Sequence, residues 1–501
     1  MCFHPFRASY NPIKNMSEQP GMGSFSENVS MRPLCVDLDG TLVKSDTLMD
    51  SVLILVRSQP LQAALSPLWL MNGKAAFKAQ VASRVSLDVD HLPWNRSLLE
   101  YLAGQKAMGR KLYLATGADA GVARRVADHL GLFEEVLASD GHKNHTGGHK
   151  LSNLQKRFPT DGFDYVGNAA PDGAVLAQCN EAMVANPTQS LRALIRSGKI
   201  SIARSFDDRP EVHQSLLQAI RLHQWAKNIL IFVPLLLAHV FGLPRILNTV
   251  VAFLSFSLCA SATYIVNDLL DIDHDRRHPK KRNRPFAAGN LSATTGAAMV
   301  ALLLAGGFTG AVFLPRAYLV WLLIYLVTTL AYSLRLKQVV LVDVLLLSGL
   351  YTLRLLAGAA AADVMISPWF AAFSTFLFLS LAIVKRFSEL ENVRAAGGSL
   401  ANGRGYLLTD IEQLRIFGTG SGIAAVVVFA LYINGGEIAG LYRHPERMWL
   451  IMPLLILWIF RVWLLASRGE LDEDPVIFAV TDRVSLFVCL IIAVIAAFAT
   501  V

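Results

Sequence analysis

Cysteine is scarce in this chain. There are five cysteines in 501 residues, they are scattered, and no two form a Cys-x-x-Cys pair. We therefore expect neither a disulfide framework nor a zinc site. The first thirty residues are polar and lack the apolar core of a secretory signal. We expect no cleaved signal peptide there and a disordered tail over 1–30.

Charged residues are also few in this chain. Charged residues make up 17% and hydrophobic residues 53%, which is too apolar for a soluble protein of this length. Nine apolar segments follow residue 228, most of them close to the roughly 20 residues that a membrane-spanning helix needs. They lie near 229–243, 248–266, 295–313, 317–334, 339–361, 367–384, 414–434, 447–466 and 484–501. The pattern predicts an all-α membrane domain of nine transmembrane helices over 221–501.

The net charge of +8 is explained by the loops between these segments rather than by nucleic acid. Connections after the even-numbered segments hold most of the Lys and Arg, and the other connections are short. The positive-inside rule then puts the N-terminus and the even loops in the cytoplasm and the C-terminus outside. We expect a multi-pass protein of the cell inner (plasma) membrane, with the lipid bilayer as a partner and no nucleic acid. The sequence is also compatible with a homo-oligomer.

The end of the second apolar segment carries an acidic cluster. Read as a helix, Asp268, Asp271 and Asp275 share one face, and Asn267 lies beside them. Three carboxylates beside lipid repel each other and lose hydration, and a divalent cation relieves both costs. Mg²⁺ fits best, because it prefers carboxylate oxygens and substrate phosphates. The alternative is a solvated acidic cap on a membrane helix.

A basic run follows the acidic cluster. Pro279 should end the helix, and six Lys or Arg lie between 276 and 284. Arg binds phosphate oxygens bidentately and Lys supplies a point charge. An acidic cluster followed by such a basic run, here with Lys280, Arg282 and Arg284, is the composition of a site for a magnesium–diphosphate substrate. The alternative is a positive-inside anchor.

Residues 31–195 are predicted to form a separate soluble α/β domain. Short apolar strands near 34–36, 111–116 and 163–168 each run into a polar loop, with helical stretches between them. Residues 42–105 have the apolar spacing of a helical insertion. Residues 196–220 are a polar connector, which could include an amphipathic helix along the membrane.

The first strand runs into Asp37-x-Asp39-Gly-Thr41, which places two carboxylates where sites gather in α/β sheets. With Thr116, Lys150 and Gly167-Asn168-x-x-x-Asp172 in order, the domain resembles the haloacid dehalogenase (HAD) superfamily of phosphotransferases. The resemblance implies a Rossmann-like fold with a helical cap. It also implies roles for five residues: Asp37 as nucleophile, Asp39 as acid/base, Thr116 and Lys150 on the phosphoryl oxygens, and Asp37, Asp39 and Asp172 on Mg²⁺. The family usually has Gly-Asp where this chain has Gly167-Asn168. The alternative is a HAD domain that has lost its catalytic activity and serves in regulation or assembly.

The second half, with its nine segments and its Asn-Asp-x-x-Asp-x-x-x-Asp motif, resembles the UbiA superfamily of intramembrane prenyltransferases. The match is closest to the branch of decaprenyl-phosphate phosphoribosyltransferases of cell-wall arabinan precursor synthesis. The resemblance makes a further set of residues candidates for substrate binding: Lys227, Asn267, Tyr332, Lys337, Asp343, Arg354, Lys385, Arg386 and Glu389. Asp343 and Arg354 lie about three turns apart and share a face. Charges in a membrane helix face a cavity or a partner, so an interhelical salt bridge is the alternative for them.

One stretch separates the branches of this superfamily. Aromatic prenyltransferases carry a second Asp-rich motif after the sixth segment, whereas here Lys385-Arg386-Phe-Ser-Glu389 stands there. Two leading cations fit a phosphorylated sugar or a lipid phosphate. The resemblance implies Mg²⁺-dependent transfer of a 5-phosphoribosyl group from phosphoribosyl diphosphate to a polyprenyl phosphate. It also implies that Lys280, Arg282 and Arg284 contact the diphosphate or the sugar 5-phosphate. The HAD domain would then dephosphorylate the product. The alternatives are an aromatic prenyltransferase using a polyprenyl diphosphate, and a transporter or scaffold with a vestigial HAD domain.

Overall fold

A computed structural model of the protein describes residues 32–139, 147–160, 162–395, 397, 404–471 and 474–500. The predicted tail over 1–30 lies outside these residues. The chain divides into two compact units. Unit one comprises the chain up to Ala219 together with Asp268–Ala298, and unit two comprises Ile220–Asn267 and Met299–Val501. Each unit is described by itself.

Unit one is built on a six-stranded parallel sheet, as the α/β prediction required. Its strands are β1 (Leu34–Val36), β2 (Leu112–Asp119), β3 (Glu135–Ser139), β4 (Asp164–Gly167), β5 (Ala182–Ala185) and β6 (Arg204–Phe206). Their order is β3-β2-β1-β4-β5-β6. Val36 pairs with Leu114 on one side and with Val166 on the other. Strand β1 is therefore central, and Asp37 begins the loop at its carboxyl end.

Helices cover this sheet and fill the predicted insertion. They are α1 (Thr47–Ser58), α2 (Pro60–Ala63), α3 (Ser66–Met71), α4 (Lys74–Ala82), α5 (Arg96–Ala107), α6 (Ala120–Leu130), α7 (Gly148–Arg157), α8 (Gly173–Leu176), α9 (Gln189–Arg196) and α10 (Val212–Ile220). The first four lie in the stretch predicted to be helical. Strand β6 pairs with β5, so the sheet extends beyond 195 into the predicted connector. The sequence did not predict β6, because this strand has only three residues and one apolar side chain.

The apolar second half forms long helices. A 3₁₀ helix over Leu222–Phe232 comes first and leads into α11 (Val233–Leu237). The rest are α12 (Leu243–Leu270), α13 (Ile272–Arg277), α14 (Ala293–Val312), α15 (Arg316–Leu334), α16 (Val342–Ala362), α17 (Pro368–Ala395), α18 (Ile411–Ile433), α19 (Gly436–Ala439), α20 (Ile451–Ser467), α21 (Pro475–Thr481) and α22 (Arg483–Thr500).

Among the described residues, eight helices are long and apolar enough to cross a membrane. The predicted count of nine is not confirmed. The missing member is the first segment, 229–243, which the structure divides between the 3₁₀ helix and α11. Pro234 has no backbone N–H and its ring opposes a continuous helix here. The segment still packs closely, because a Cβ on Gly358 of α16 would lie 2.1 Å from the carbonyl oxygen of Ile231.

We expect residues 221–242 to cross the membrane although they form no long α-helix. The predicted topology puts the N-terminus and the connection after α12 in the cytoplasm, so α12 would have to begin on the other side of the bilayer. The 3₁₀ helix spans about 22 Å and α11 about 8 Å, together close to the roughly 30 Å hydrocarbon core.

Cysteine accessibility checks this path. In a cysteine-free background, Gly242→Cys should react with an impermeant thiol reagent in intact cells, and Asn283→Cys should react only after lysis. Equal protection of both positions would contradict the crossing.

Candidate functional site

The carboxyl edge of the sheet in unit one brings together residues that are distant in sequence. Lys150, on α7, donates through Nζ to Asp37 Oδ1 at 2.9 Å and to Asp172 Oδ1 at 3.0 Å. The same nitrogen donates to the Tyr165 hydroxyl at 2.8 Å. Asp37, Lys150 and Asp172 are all buried. Lys150 thus lies beside the carboxylate predicted to be the nucleophile, and its contact with phosphoryl oxygens stays a prediction.

Burial controls the electrostatics of the two leading carboxylates. Burial raises the pKa of Asp37 to about 6, although Lys150 opposes the shift. Burial, with Asp46 nearby, raises the pKa of Asp39 to about 8. Desolvation works against the charge on Lys150, but Asp37 and then Asp172 outweigh it and raise its pKa. Burial thus favours the protonated forms of Asp37 and Asp39, whereas Lys150 keeps its charge.

Both carboxylate oxygens of Asp172 accept hydrogen bonds from the protein. Its Oδ1 accepts from Lys150 and from the Tyr165 hydroxyl at 2.9 Å. Its Oδ2 accepts from the backbone N–H groups of Asn168 and Ala169, at 3.3 and 3.2 Å. With both oxygens occupied, Asp172 orients Lys150 and closes the loop after β4. Its role as a magnesium ligand stays a prediction that this bonding disfavours.

Asn168, in the loop after β4, lines the same cavity as Asp37 and Asp39. Its side chain lies against Gly40, where a Cβ would be 1.9 Å from Asn168 Nδ2. Two carboxylates, Asp37 and Asp39, and one amide oxygen are all hard donors, so the set fits Mg²⁺. Among the described residues no group of three or more His, Cys, Asp or Glu is arranged to hold a metal. Thr116 is buried and its Oγ1 accepts from the Ala118 N–H at 3.0 Å.

The acidic cluster of unit one is not a single helical face. Helix α12 ends at Leu270 and α13 begins at Ile272, with Asp271 between them at φ −92° and ψ 6°. Arg284 Nη1 joins the outer two carboxylates, lying 3.0 Å from Asp268 Oδ1 and 2.7 Å from Asp275 Oδ2. Asp271 Oδ1 instead lies 2.7 Å from Arg57 Nη1. Two of the three predicted carboxylates converge, and the break in the helix turns the third away.

This pair also fits Mg²⁺, which is usually held by one or two carboxylates plus substrate phosphates. Both aspartates are buried. Burial raises the pKa of Asp275 although Arg284 opposes the shift, so a further cation would be stabilised there. Helix α13 ends at Arg277, just before Pro279, as the proline predicted. Lys280 and Arg282 are exposed beyond it.

Unit two contains a cationic cluster around one carboxylate. Lys227 and Lys385 both donate to Asp474 Oδ2, at 2.9 and 2.8 Å, and the Tyr351 hydroxyl donates to Oδ1 at 2.9 Å. The two lysines hold the pKa of Asp474 far below its usual range. Two cations and one anion leave a net positive cluster. The sequence signal for Asp474 was its place before Pro475, which is typical of a helix start, and it was missed.

Asp343 and Arg386 form an interhelical salt bridge. Arg386 donates to both oxygens of Asp343, and also to Glu389 Oε2 at 2.7 Å and to the Tyr332 hydroxyl at 3.1 Å. Asp343 is fully buried and Arg386 is 2% exposed. All three guanidinium nitrogens donate to protein acceptors. The salt-bridge alternative for Asp343 is thus realised, and binding of substrate by Arg386 stays a prediction that these bonds disfavour.

Arg354 does not pair with Asp343. Its Nε donates to Asn228 Oδ1 at 2.9 Å, and its guanidinium lies 5.1 Å from the Tyr325 ring centroid and 5.5 Å from that of Tyr351. The aromatic faces stabilise the buried cation. Elsewhere in unit two, Lys337 Nζ lies 3.4 Å from Asn267 Oδ1.

Comparison with known proteins gives both family and relatives. The model of the UbiA prenyltransferase family matches residues 229–491. An uncharacterised protein of Sinorhizobium fredii, y4nM, is 34% identical over 464 residues, which cover 92% of this chain and 90% of that protein. The alignment is longer than the membrane half, so it includes unit one. A decaprenyl-phosphate phosphoribosyltransferase of Mycobacterium tuberculosis is 33% identical over 223 residues, 43% of this chain and 73% of that enzyme.

Two solved structures show a distant likeness. A UbiA homologue from Archaeoglobus fulgidus, bound to DMAPP and Mg²⁺, is 17% identical and covers 57% of this chain and 98% of that one, with a TM-score of 0.44. A HAD family hydrolase from Salmonella enterica is 16% identical and covers 35% of this chain and 67% of that one, with a TM-score of 0.27.

Arg386→Met should destabilise unit two, because it leaves the buried Asp343 without its partner. Breaking a buried pair from one side costs about 3–5 kcal/mol, so the unfolding temperature of the detergent-purified protein should fall clearly. Adding Asp343→Asn to Arg386→Met should restore part of the loss. The control is Arg394→Gln on the same helix, whose side chain is 58% exposed. An unchanged unfolding temperature for Arg386→Met would contradict a structural role.

Proposed function

Because the chain belongs to the UbiA prenyltransferase family, we propose that its membrane half transfers a 5-phosphoribosyl group from phosphoribosyl diphosphate to a polyprenyl phosphate. The chain is a multi-pass membrane transferase; the choice of substrates is the proposal. The observation that carries it is the cluster of Lys227 and Lys385 on Asp474, which supplies net positive charge for a phosphate. The relative named decaprenyl-phosphate phosphoribosyltransferase supports the same choice.

The donor's diphosphate would be bound in unit one. Asp268 and Asp275 would hold Mg²⁺, which when bound neutralises the negative charge of the leaving diphosphate. Arg284, within 3.0 Å of both carboxylates, has a planar guanidinium suited to phosphate oxygens. Exposed Lys280 and Arg282 would meet the outer phosphate of the donor or its sugar 5-phosphate.

The acceptor phosphate would be bound by the lysines of unit two. Lys227 and Lys385 share the single carboxylate of Asp474, so one positive charge is not neutralised. A bound phosphate dianion can neutralise it. An oxygen of that phosphate attacks C1 of the ribose, the bond from C1 to the diphosphate oxygen breaks, and diphosphate leaves with the electron pair. A phosphate is already a competent oxygen nucleophile, so this step needs no strong base. The product carries a lipid phosphodiester at C1 and a phosphate monoester at C5.

Asp268→Asn and Asp275→Asn should each lower turnover, because each removes one of two converging carboxylates. The expected loss is about 100-fold or more, measured as Mg²⁺-dependent formation of phosphoribosyl lipid from labelled phosphoribosyl diphosphate and polyprenyl phosphate in detergent.

Asp273→Asn is the matched control, since Asp273 lies on the same short helix but pairs with Arg277 at 2.9 Å. It should keep most of the activity. If the parent protein instead prenylates an aromatic acid from a polyprenyl diphosphate, the phosphoribosyl assignment is overturned.

We also propose that unit one removes the 5-phosphate from this product. An Asp37 carboxylate oxygen attacks phosphorus, the bond to the C5 oxygen breaks, and Asp39 gives that oxygen its proton. Water then attacks the aspartyl phosphate, Asp39 takes a proton back, and inorganic phosphate leaves. The raised pKa of Asp39 suits a group that must hold a proton before the first step. Unit one would be cytoplasmic, at the inner membrane.

Asp37→Asn should make the phosphorylated lipid accumulate, because the substitution removes the nucleophile but none of the transferase residues. Resolved by mass, the product of the parent should lack the 5-phosphate, and the variant's product should retain nearly all of it. Asp128→Asn, at an exposed position on α6, is the control and should match the parent. Identical products from Asp37→Asn and the parent would contradict the phosphatase role.

A further inference from the structure

A cavity of about 500 Å³ opens at the carboxyl edge of the sheet in unit one. One side is lined by the residues assigned to the phosphatase, including Asp37, Asp39 and Lys150. The facing side comes from a different part of the chain, with Ile272, Phe286 and residues 291–294. Those up to Ser292 belong to the connection between α12 and α14, the first two long apolar helices, and Ala293 and Thr294 begin α14. The two sides lie within one unit.

Buried ionic contacts hold this connection against the sheet domain. Arg276 Nη1 lies 2.8 Å from Asp50 Oδ2, and both side chains are at most 5% exposed. The same guanidinium donates to Ser45 Oγ at 3.0 Å and to the Ala287 carbonyl at 3.1 Å. A buried pair with its remaining donors satisfied fixes a geometry, and breaking it from one side is costly.

Backbone packing confirms how close the approach is. Gly289 has a φ of +70°, and a Cβ there would lie 2.7 Å from Lys44 Cβ and 3.2 Å from Pro93 Cγ. Only glycine combines that conformation with that approach. The connection is therefore fitted against the loop after β1, which itself carries Asp37 and Asp39.

We propose that residues 272–294 form the specificity wall of the phosphatase site, and that the site takes a phosphate monoester carried on the head group of a membrane-held lipid. This inference rests on the proposed phosphatase function and deepens it. The volume is that of a small-molecule site, so a phosphosugar head group enters while the polyprenyl chain stays outside. The wall leads directly into α14, so a substrate anchored in lipid arrives at its edge.

The chemistry of the two sides fits such a head group. Lys44, Lys150 and Arg209 line the cavity as cations for phosphate oxygens, and Ser292 and Thr294 offer hydroxyls to a sugar. Ile272, Phe286 and Leu291 make the rest of the wall apolar, as suits the junction of sugar and lipid. A free sugar phosphate would use the cations but gain little from the apolar part.

Filling the cavity from the wall tests the inference in the full-length protein. Ser292 and Thr294 are exposed, so Ser292→Trp and Thr294→Trp should fold. The substrate is 5-phosphoribosyl polyprenyl phosphate supplied in detergent, which makes the readout, phosphate release, independent of the transferase. Each variant should be about tenfold slower or worse, because the head group is displaced from Asp37. Ala297→Trp is the control, since Ala297 is exposed in α14 and does not line the cavity; it should match the parent.

A second measurement tests whether the ion pair of Arg276 and Asp50 holds the wall in place. Asp50→Asn removes the charge that holds Arg276, so the preference for the lipid ester over p-nitrophenyl phosphate should fall about tenfold. Unchanged rates in both tryptophan variants overturn the inference. A parent that hydrolyses p-nitrophenyl phosphate but not the lipid ester overturns it too, while leaving a phosphatase in place. A parent that hydrolyses neither overturns the phosphatase proposal and the inference with it.

Discussion

A charge that leaves water must meet an opposite charge or a set of hydrogen bonds, and this constraint shapes both units. In unit one, Lys150 is placed between Asp37 and Asp172, and Arg284 between Asp268 and Asp275. In unit two, Asp343 holds Arg386, and Asp474 holds two lysines. These clusters differ in their net charge. The charges around Arg386 are balanced within its cluster. The pair of Lys227 and Lys385 keeps an excess of positive charge, and the aspartate pairs keep an excess of negative charge. A ligand of opposite charge can neutralise such an excess.

Sequence patterns predicted the parts of the fold that depend on local rules. The alternation of strands and helices, the position of Asp37 after a buried strand and the helix end before Pro279 follow from periodicity and proline geometry. The patterns could not predict that Asp271 would leave the face shared by Asp268 and Asp275. That depends on Arg57, 214 positions earlier in the sequence, and no local rule reports such a contact. Strand β6 was missed for a related reason, because its pairing with β5 rather than its composition makes it a strand.

The assignment of charged residues in the membrane half shows the same limit. Spacing placed Asp343 and Arg354 on one helix face, and both are buried. Their partners, however, come from other elements: Arg386 for one, Asn228 and aromatic rings for the other. A sequence shows which residues carry charge but not which charges cancel. For this reason Arg386 was predicted as a phosphate ligand although its guanidinium is fully bonded, and Asp474 was missed although it organises the lysines.

The ion pair of Arg57 and Asp271 joins the two parts of unit one to which the two proposed activities are assigned. Arg57 lies on α1, in the helical insertion of the sheet domain, and Asp271 lies between the two aspartates proposed to hold Mg²⁺. The donor site and the wall of the phosphatase cavity are parts of one short connection, 268–294. A ligand that shifts this connection at one end therefore acts on the other, because a closely packed segment moves between discrete arrangements instead of deforming smoothly. If both proposed steps occur in one chain, the phosphorylated intermediate would stay near its second site, because covalent tethering raises effective concentration.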